Sequence, residues 1–429
     1  MHTRTVSFLQ VLAVAAWLAG GGGTRCAAAD IRVEHFQPVP IRITLQDLPP
    51  PYRTPSATRP PQVLPPSDDA VLRVPRGFRV SLFAKVPSAR WLALTPGGDV
   101  LCAASQQEKV LLLQGGGRDG VAERQFVLLD KSSGANQPFG MTFSKDAFYL
   151  GNTDAVLRYP CEPSANGAGP PIRLGKPEKI TALPGQGYNQ HWTRNVVLSP
   201  DGKKLYVSVG SATNCSPEGP PRASVLQMNL DGSGRKVFAS GLRNPVGLAF
   251  HPKTAELYAT VNERDGLGDD LPPDYFTRLR DGEFYGWPYV YFAPQNLDPR
   301  MVQDGHSLRP DLAARTRTPD VLFQTHSASL GLAFYAGSVF PEKYRQGAFV
   351  AFRGSWNRSR GTGYKIVFIP FDAAGRPKGW YEDFVTGFLL DPAGPITWGR
   401  PVGLLAMPDG SLLFTEEING RIYRVRFSG

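Results

Sequence analysis

The chain is 429 residues long, 41% hydrophobic and 20% charged, with a net charge of +10. That length suits one large all-β domain or two smaller ones. Its basic residues are scattered and form no stripe interleaved with stacking aromatics, which argues against nucleic acid as a partner. A ligand rich in carboxylates, or an acidic partner, fits the surplus of positive charge better.

The N-terminus comes first in chain order. Arg4 precedes an apolar run from Phe8 to Leu18, and Cys26-Ala27-Ala28-Ala29 offers small residues for cleavage. Residues 1–29 therefore read as a secretory signal peptide, with an apolar run too short for a membrane span. The mature chain is expected to be periplasmic or secreted, with no membrane span. Residues 30–70 are rich in proline, as in Leu48-Pro49-Pro50-Pro51 and Arg59-Pro60-Pro61. They predict an extended arm that packs along the outside of the fold or acts as a tether.

Over residues 71–429 short β runs alternate with turns, and helix-period stretches are almost absent. Six related units recur, at residues 91–98, 139–146, 196–202, 246–252, 330–335 and 403–410. Each joins a strand to a turn and a second strand, and the spacing is that of propeller blades. The predicted fold is an all-β, six-bladed β-propeller carrying the proline-rich arm. Residues 78–83 are expected to supply the outer strand of the final blade and so close the ring. Long fourth and fifth intervals imply insertions, at residues 269–291 and 293–320, and these are expected to line the pocket. The alternative fold, a pair of β-sandwiches, does not account for the repeated strand-turn signature.

Three cysteines follow the leader: Cys102, in an apolar strand, and Cys161 and Cys215, in loops. The odd count leaves at least one thiol unpaired within the chain, and the pairing of Cys161 with Cys215 is left open. No Cys-x-x-Cys-His occurs, so no c-type haem is attached. Residues 115–120 match Gly-x-Gly-x-x-Gly, but an apolar β run, residues 125–129, follows them instead of a helix. A nicotinamide site needs the βαβ unit, so this is a hairpin loop.

Several side chains are placed to carry chemistry. His191 lies in a polar, aromatic loop (residues 187–195) that enters the strand 196–198. It is either a hydrogen-bonded loop histidine or a general base with a pKa suited to neutral pH. Arg243 and Asn244 open an Arg-Asn-Pro turn whose plain reading is structural. The run 263–270, Glu-Arg-Asp-Gly-Leu-Gly-Asp-Asp, is either a solvated turn or a site, and it lacks the spacing of an EF-hand. Arg358 and Arg400 are candidate clamps for ligand carboxylates. His326 is either a substrate-pocket residue or a hydrogen-bonded loop histidine.

Residues 187–202, 241–250 and 261–270 running on to 284–288 together resemble the sorbosone dehydrogenase family, relatives of soluble glucose dehydrogenase that use pyrroloquinoline quinone. The resemblance extends in order from about Val74 to the C-terminus. It implies a quinoprotein dehydrogenase that oxidises a sugar or sugar aldehyde and passes hydride to the quinone. Electrons would then go to an external acceptor, such as a c-type cytochrome. It implies His191 as catalytic base, Arg243 beside the quinone carbonyl and Asn244 in contact with the cofactor. It also implies that the backbone carbonyls of Asp265 and Gly266 hold a calcium ion. Arg400 fits the family pattern better than Arg358. One departure stands out: Ser211 occupies the position where the related enzymes have an aspartate that orients the histidine, and a neutral serine raises basicity less. A calcium-dependent lactonase and a non-catalytic propeller binding glycans or protein are the alternatives.

Overall fold

The computed structural model describes residues 30–67, 69–115, 120–162, 172–185 and 191–429. The expected signal peptide, the core of the Gly-x-Gly-x-x-Gly loop and residues 187–190 lie outside the described residues.

Six sheets dominate the fold, each built on four antiparallel strands, and three of them carry a fifth short strand. In the first blade the strands are Ala89–Leu94, Val100–Ala104, Lys109–Gly115 and Ala122–Leu129. Met141–Phe143, Ala147–Asn152, Ala155–Glu162 and Glu178–Ala182 make the second, and Val196–Leu198, Lys204–Val209, Ser224–Asn229 and Lys236–Ser240 the third. The fourth contains Asn244–Phe250, Leu257–Asn262, Tyr275–Leu279 and Val321–Leu322. The fifth contains Ser329–Phe334, Ala348–Phe352, Lys365–Ile369 and Glu382–Val385. Pro401–Ala406, Leu412–Glu416 and Arg421–Phe427 complete the sequence-contiguous part of the sixth. Its outer strand, Phe78–Lys85, comes from the other end of the chain and pairs antiparallel with Arg421–Phe427. This is the expected closure, and it ties residue 78 to residue 427.

The first strand of every blade packs against that of the next, and the sixth returns to the first. Glycine makes the approach possible. A Cβ on Gly140 would lie 2.2 Å from the Val196 nitrogen, one on Gly247 2.4 Å from the Leu330 carbonyl, and one on Gly403 2.3 Å from the Arg90 carbonyl. Each of these contacts is backbone of the following blade, so no side chain fits. In two blades a threonine completes the junction. Thr260 Oγ1 accepts from Gly247 N and donates to the Leu330 carbonyl at 2.7 Å, and Thr415 does the same between Gly403 and the Arg90 carbonyl at 3.0 Å. The repeat in the sequence is thus the imprint of inter-blade packing.

Between blades lie aromatic cores. Phe78 meets the edges of Phe340 at 4.8 Å and Phe384 at 5.0 Å and is fully buried. Burial of such a ring contributes about 1.5–3 kcal/mol, so the N-terminal strand is fastened by packing as well as by its ladder.

The arm is extended. Val33–Phe36 runs parallel to Leu72–Pro75, Ile41 pairs with Tyr381, and Gln62–Val63 runs parallel to Ile396–Thr397. Among the described residues one short α-helix occurs, Pro310–Ala314. It belongs to the insertion of the fourth blade. No helix among the described residues is long and apolar enough to cross a membrane.

Candidate functional site

In each blade the first strand begins, and the second ends, at the same edge of the sheet. Loops entering first strands and leaving second strands therefore gather on one face. A cavity of about 390 Å³ opens there, lined by residues of five of the six blades. His191 and Thr193 precede the third blade, Arg243 and Asn244 start the fourth, His326 precedes the fifth and Arg400 the sixth. Arg90 of the first blade joins them, with Glu263, Asp265, Arg353 and Asn357 from loops that follow second strands.

His191 is buried, and its Nδ1 lies 3.0 Å from Ser211 Oγ and 3.1 Å from the Ser211 carbonyl. Ser211 Oγ already donates to the Thr213 carbonyl at 2.6 Å. Both oxygens at Nδ1 therefore act as acceptors, which places the ring proton on Nδ1 and the lone pair on Nε2. Burial first, then the neighbouring Arg243 guanidinium, hold the imidazole well below its ordinary pKa. The ring is neutral at physiological pH, as a proton acceptor must be.

Arg243 is held at every nitrogen. Nε donates to the Asn214 carbonyl (3.1 Å), Nη1 to the Glu263 carbonyl (2.6 Å), and Nη2 to Asn214 Oδ1 (2.9 Å) and Asp265 Oδ2 (3.1 Å). His326 is equally fixed. Asn357 Nδ2 donates to its Nδ1 at 3.1 Å, so Nε2 carries the proton and donates to the Gly268 carbonyl at 3.0 Å. Its backbone is left-handed, φ +62°, as is that of Ala328 at +54°, a conformation non-glycine residues adopt at a cost.

On the opposite charge pole, Glu417 ion-pairs with both Arg90 and Arg353. Burial acts to raise its pKa, but Arg90 above all, then Arg353 and Arg400, hold it down at about 2. The Arg400 backbone N–H donates to Glu416 Oε1 at 3.0 Å, while its guanidinium rests on backbone carbonyls. It donates to the carbonyls of Arg353 (3.1 Å) and Gly354 (2.7 Å), and burial lowers its pKa to about 9. Two lining carboxyls move the other way: burial raises Glu263 to about 8 and Asp274 to about 7. Four guanidinium groups thus line the cavity, and among the described residues Glu417 and Asp265 face them as ion-pair partners. The site carries surplus positive charge and favours an anion. Three buried polar atoms on its wall lack a partner among the described residues: Arg90 Nε, Thr193 Oγ1 and Asn244 Oδ1. Unsatisfied buried groups of this kind await a ligand or water.

The structure brings together His191, Arg243, Asn244, Asp265, His326 and Arg400. Two expectations change. Arg358 does not line the cavity. Its Nε donates to the Asp269 carbonyl at 3.1 Å and its Nη2 pairs with Asp270, so its guanidinium clamps the acidic loop, and Arg353 stands at the wall instead. The Asp265 carbonyl accepts from Asn214 Nδ2 (2.9 Å) and Arg264 Nε (3.1 Å). Both its lone pairs are committed to protein donors, which does not suit a calcium ligand. Among the described residues no three His, Cys, Asp or Glu side chains converge as a metal site.

The insertions also differ from expectation. Of residues 269–291 and 293–320, only Asp274 reaches the cavity. Tyr275–Leu279 is the third strand of the fourth blade, Phe284, Tyr289 and Met301 pack around Cys215, and the buried Arg264–Asp298 pair at 2.8 Å ties the insertion to the site loop. All three described cysteines are free, Cys102 and Cys215 buried and Cys161 exposed. Sequence reasoning missed Arg90, Arg353 and Glu417, which stand in no recognisable motif. It also missed Pro60 and Pro61, which line the cavity from the arm.

Comparison with known proteins follows the same lines. The Glucose / Sorbosone dehydrogenase family model matches residues 173–353, and a TrAA12-like model matches residues 299–428. An uncharacterized protein of Borreliella burgdorferi is 28% identical over 368 residues, 83% of this chain and 91% of its own length. A pyrroloquinoline quinone-dependent pyranose dehydrogenase of Coprinopsis cinerea is 24% identical over 316 residues, covering 60% of this chain. This chain spans only 43% of that enzyme's length. The holo form of the enzyme's quinone domain superposes with a TM-score of 0.69 at 19% identity, over 86% of this chain and 99% of the domain. A calcium structure of a Trichoderma reesei family AA12 enzyme gives 0.69 at 18%, over 86% and 98%. These structures establish a shared propeller fold. The resemblance read from the three sequence motifs stands as a similarity: over residues 173–353 the chain is similar to the glucose/sorbosone dehydrogenase family.

Proposed function

We propose that this protein is an exported, pyrroloquinoline quinone-dependent dehydrogenase that oxidises a sugar or sugar aldehyde. The observation that carries the reading is the cavity itself: a buried, neutral histidine with Nε2 as its basic nitrogen, in a wall of four guanidinium groups. The donor set suits a tricarboxylate, since Arg90, Arg353 and Arg400 offer charge-assisted bonds to carboxylates. The orphaned Arg90 Nε and Asn244 Oδ1 offer two more polar contacts. A bound quinone would supply the two-electron acceptor for the substrate's hydride.

The chain's own residues supply the rest. His191 Nε2 accepts the hydroxyl proton as the carbon is oxidised. Ser211 keeps the imidazole in the tautomer that allows this. Arg243, fixed by its bonds to Asn214 and Glu263, holds positive charge where negative charge develops, and its immobility means little reorganisation at the moment of reaction. His326 and Asn357 shape the wall. Electrons then pass to an external acceptor, such as a c-type cytochrome. A calcium ion in this site would need ligands other than the Asp265 carbonyl.

Titration of the purified protein with pyrroloquinoline quinone, with and without calcium, tests the reading by absorbance. Saturable micromolar or tighter binding, followed by reduction of an artificial acceptor in the presence of aldoses, is the expected result. Absence of binding under both conditions would overturn it.

A further inference from the structure

The proline-rich arm crosses the mouth of the site. Tyr52 N donates to the Leu267 carbonyl at 2.8 Å, and Asp269 N donates to Thr54 Oγ1 at 2.8 Å. The contact is close: a Cβ on Gly268 would meet the Thr54 carbonyl at 2.9 Å. Further along, Arg59 N donates to the Trp356 carbonyl at 2.6 Å, Gln62 N to Pro395 at 2.9 Å and Leu64 N to Thr397 at 2.8 Å. The arm is therefore pinned in turn to loops of the fourth, fifth and sixth blades. Between the pins, Pro60 and Pro61 enter the cavity wall beside Trp356. Two consecutive prolines fix φ, offer no N–H and make a stiff apolar surface.

We infer that the Arg59–Pro61 segment sets substrate size, closing one side of the cavity so that a single sugar ring, not an oligosaccharide, reaches His191. The inference rests on the dehydrogenase reading above. Three features support it. The cavity is at the lower end of the roughly 300–1,000 Å³ usual for small-molecule sites, and a flat tricyclic cofactor would leave space for little more than one ring. The anchors on both sides of the two prolines are backbone hydrogen bonds, so the wall does not move with one side chain. An apolar proline–tryptophan surface suits the C–H face of a pyranose ring.

The test is the double variant Pro60→Gly/Pro61→Gly, with Pro60→Ala as a milder companion should the first fold poorly. Two readouts are needed. Acrylamide quenching of tryptophan fluorescence, dominated at this site by Trp192 and Trp356, needs neither cofactor nor turnover and is expected to rise in the variant. With quinone bound at unchanged affinity, the ratio of kcat/KM for a monosaccharide to that for its trisaccharide is expected to fall at least tenfold. Increased quenching with an unchanged ratio would show a wall without a role in selection and overturn the inference. Unchanged quenching would overturn it as well. If wild-type protein binds no quinone, the dehydrogenase reading fails, and the quenching result still decides whether the arm closes the cavity.

Discussion

The two poles of the cavity are built on opposite principles. On one side Glu417 binds Arg90 and Arg353, and Arg400 rests on backbone carbonyls. Charge is concentrated there and left partly uncompensated. On the other side Arg243 is paired with Asp265, the buried Glu263 and Asp274 have pKa values pushed up to about 8 and about 7, and His191 is held neutral. Charge there is suppressed. The first arrangement suits holding an anion; the second suits moving a proton. Burial drives both, and partner chemistry decides which result it gives.

The sharpest way to break the comparison is to remove the base. His191→Ala leaves the guanidinium pole intact, so quinone affinity should change by less than a few-fold. The rate of substrate oxidation should fall by about 10²–10⁴, the usual contribution of a general base. Stopped-flow reduction of the bound cofactor reads both. Retained turnover would move the base elsewhere.

Next in size is the loss of Glu417. Glu417→Ala leaves the buried Arg90 and the part-exposed Arg353 without their shared carboxylate, and breaking a buried pair from one side costs about 3–5 kcal/mol. Urea denaturation should show a loss of that order in the cofactor-free protein. Added quinone should recover part of it, because its carboxylates replace the missing charge. A loss below about 1 kcal/mol would mean that water compensates the pair and that the pole is less dry than its burial indicates.

The two poles were unequally legible in the sequence. His191, Arg243 and Asn244 sit in loops entering first strands, where motif and position coincide. The blade repeat was legible because Gly140, Gly247, Gly331 and Gly403 meet one inter-blade constraint, each with the next blade's backbone under 2.5 Å from its would-be Cβ. The closing strand 78–85 followed from the need to complete a four-stranded blade. Arg90, Arg353 and Glu417 were hidden because their association spans 327 residues between Arg90 and Glu417 and leaves no local pattern. Arg358 misled for the converse reason: it stands in a motif-like loop, but Asp269 and Asp270 are nearer partners than any ligand. The arm's course over the site was not legible, since prolines specify an extended chain but not what it lies upon.

A smaller effect tests the suppressed pole through stability. Burial pushes the Glu263 carboxyl up to about 8 in the folded state, whereas the unfolded chain releases its proton near the ordinary glutamate value of 4.5. Between those values the folded state binds more protons, so this group makes stability fall as pH rises. The slope is at most about 1.4 kcal/mol per pH unit for one proton. Glu263→Gln removes the titration, and the decline in stability between pH 5 and pH 8 should become shallower by up to one proton's worth. Denaturation curves at three pH values across that window decide it; an unaltered slope would place the raised pKa on Asp274 alone.

The smallest effect belongs to Ser211. Its Oγ shares the His191 Nδ1 proton with its own carbonyl. Ser211→Ala leaves one acceptor in place, and turnover should fall only a few-fold. Ser211→Asp introduces a negative charge at the same nitrogen and raises the imidazole pKa. His191 acts as a base only when neutral, and its pKa is already depressed by burial and Arg243. The acid limb of kcat/KM in the wild type should therefore lie below pH 6.5 and shift upward in Ser211→Asp, while the plateau rate rises with the stronger base. An acid limb that stays put in both variants would show that His191 is not the group whose protonation stops the reaction.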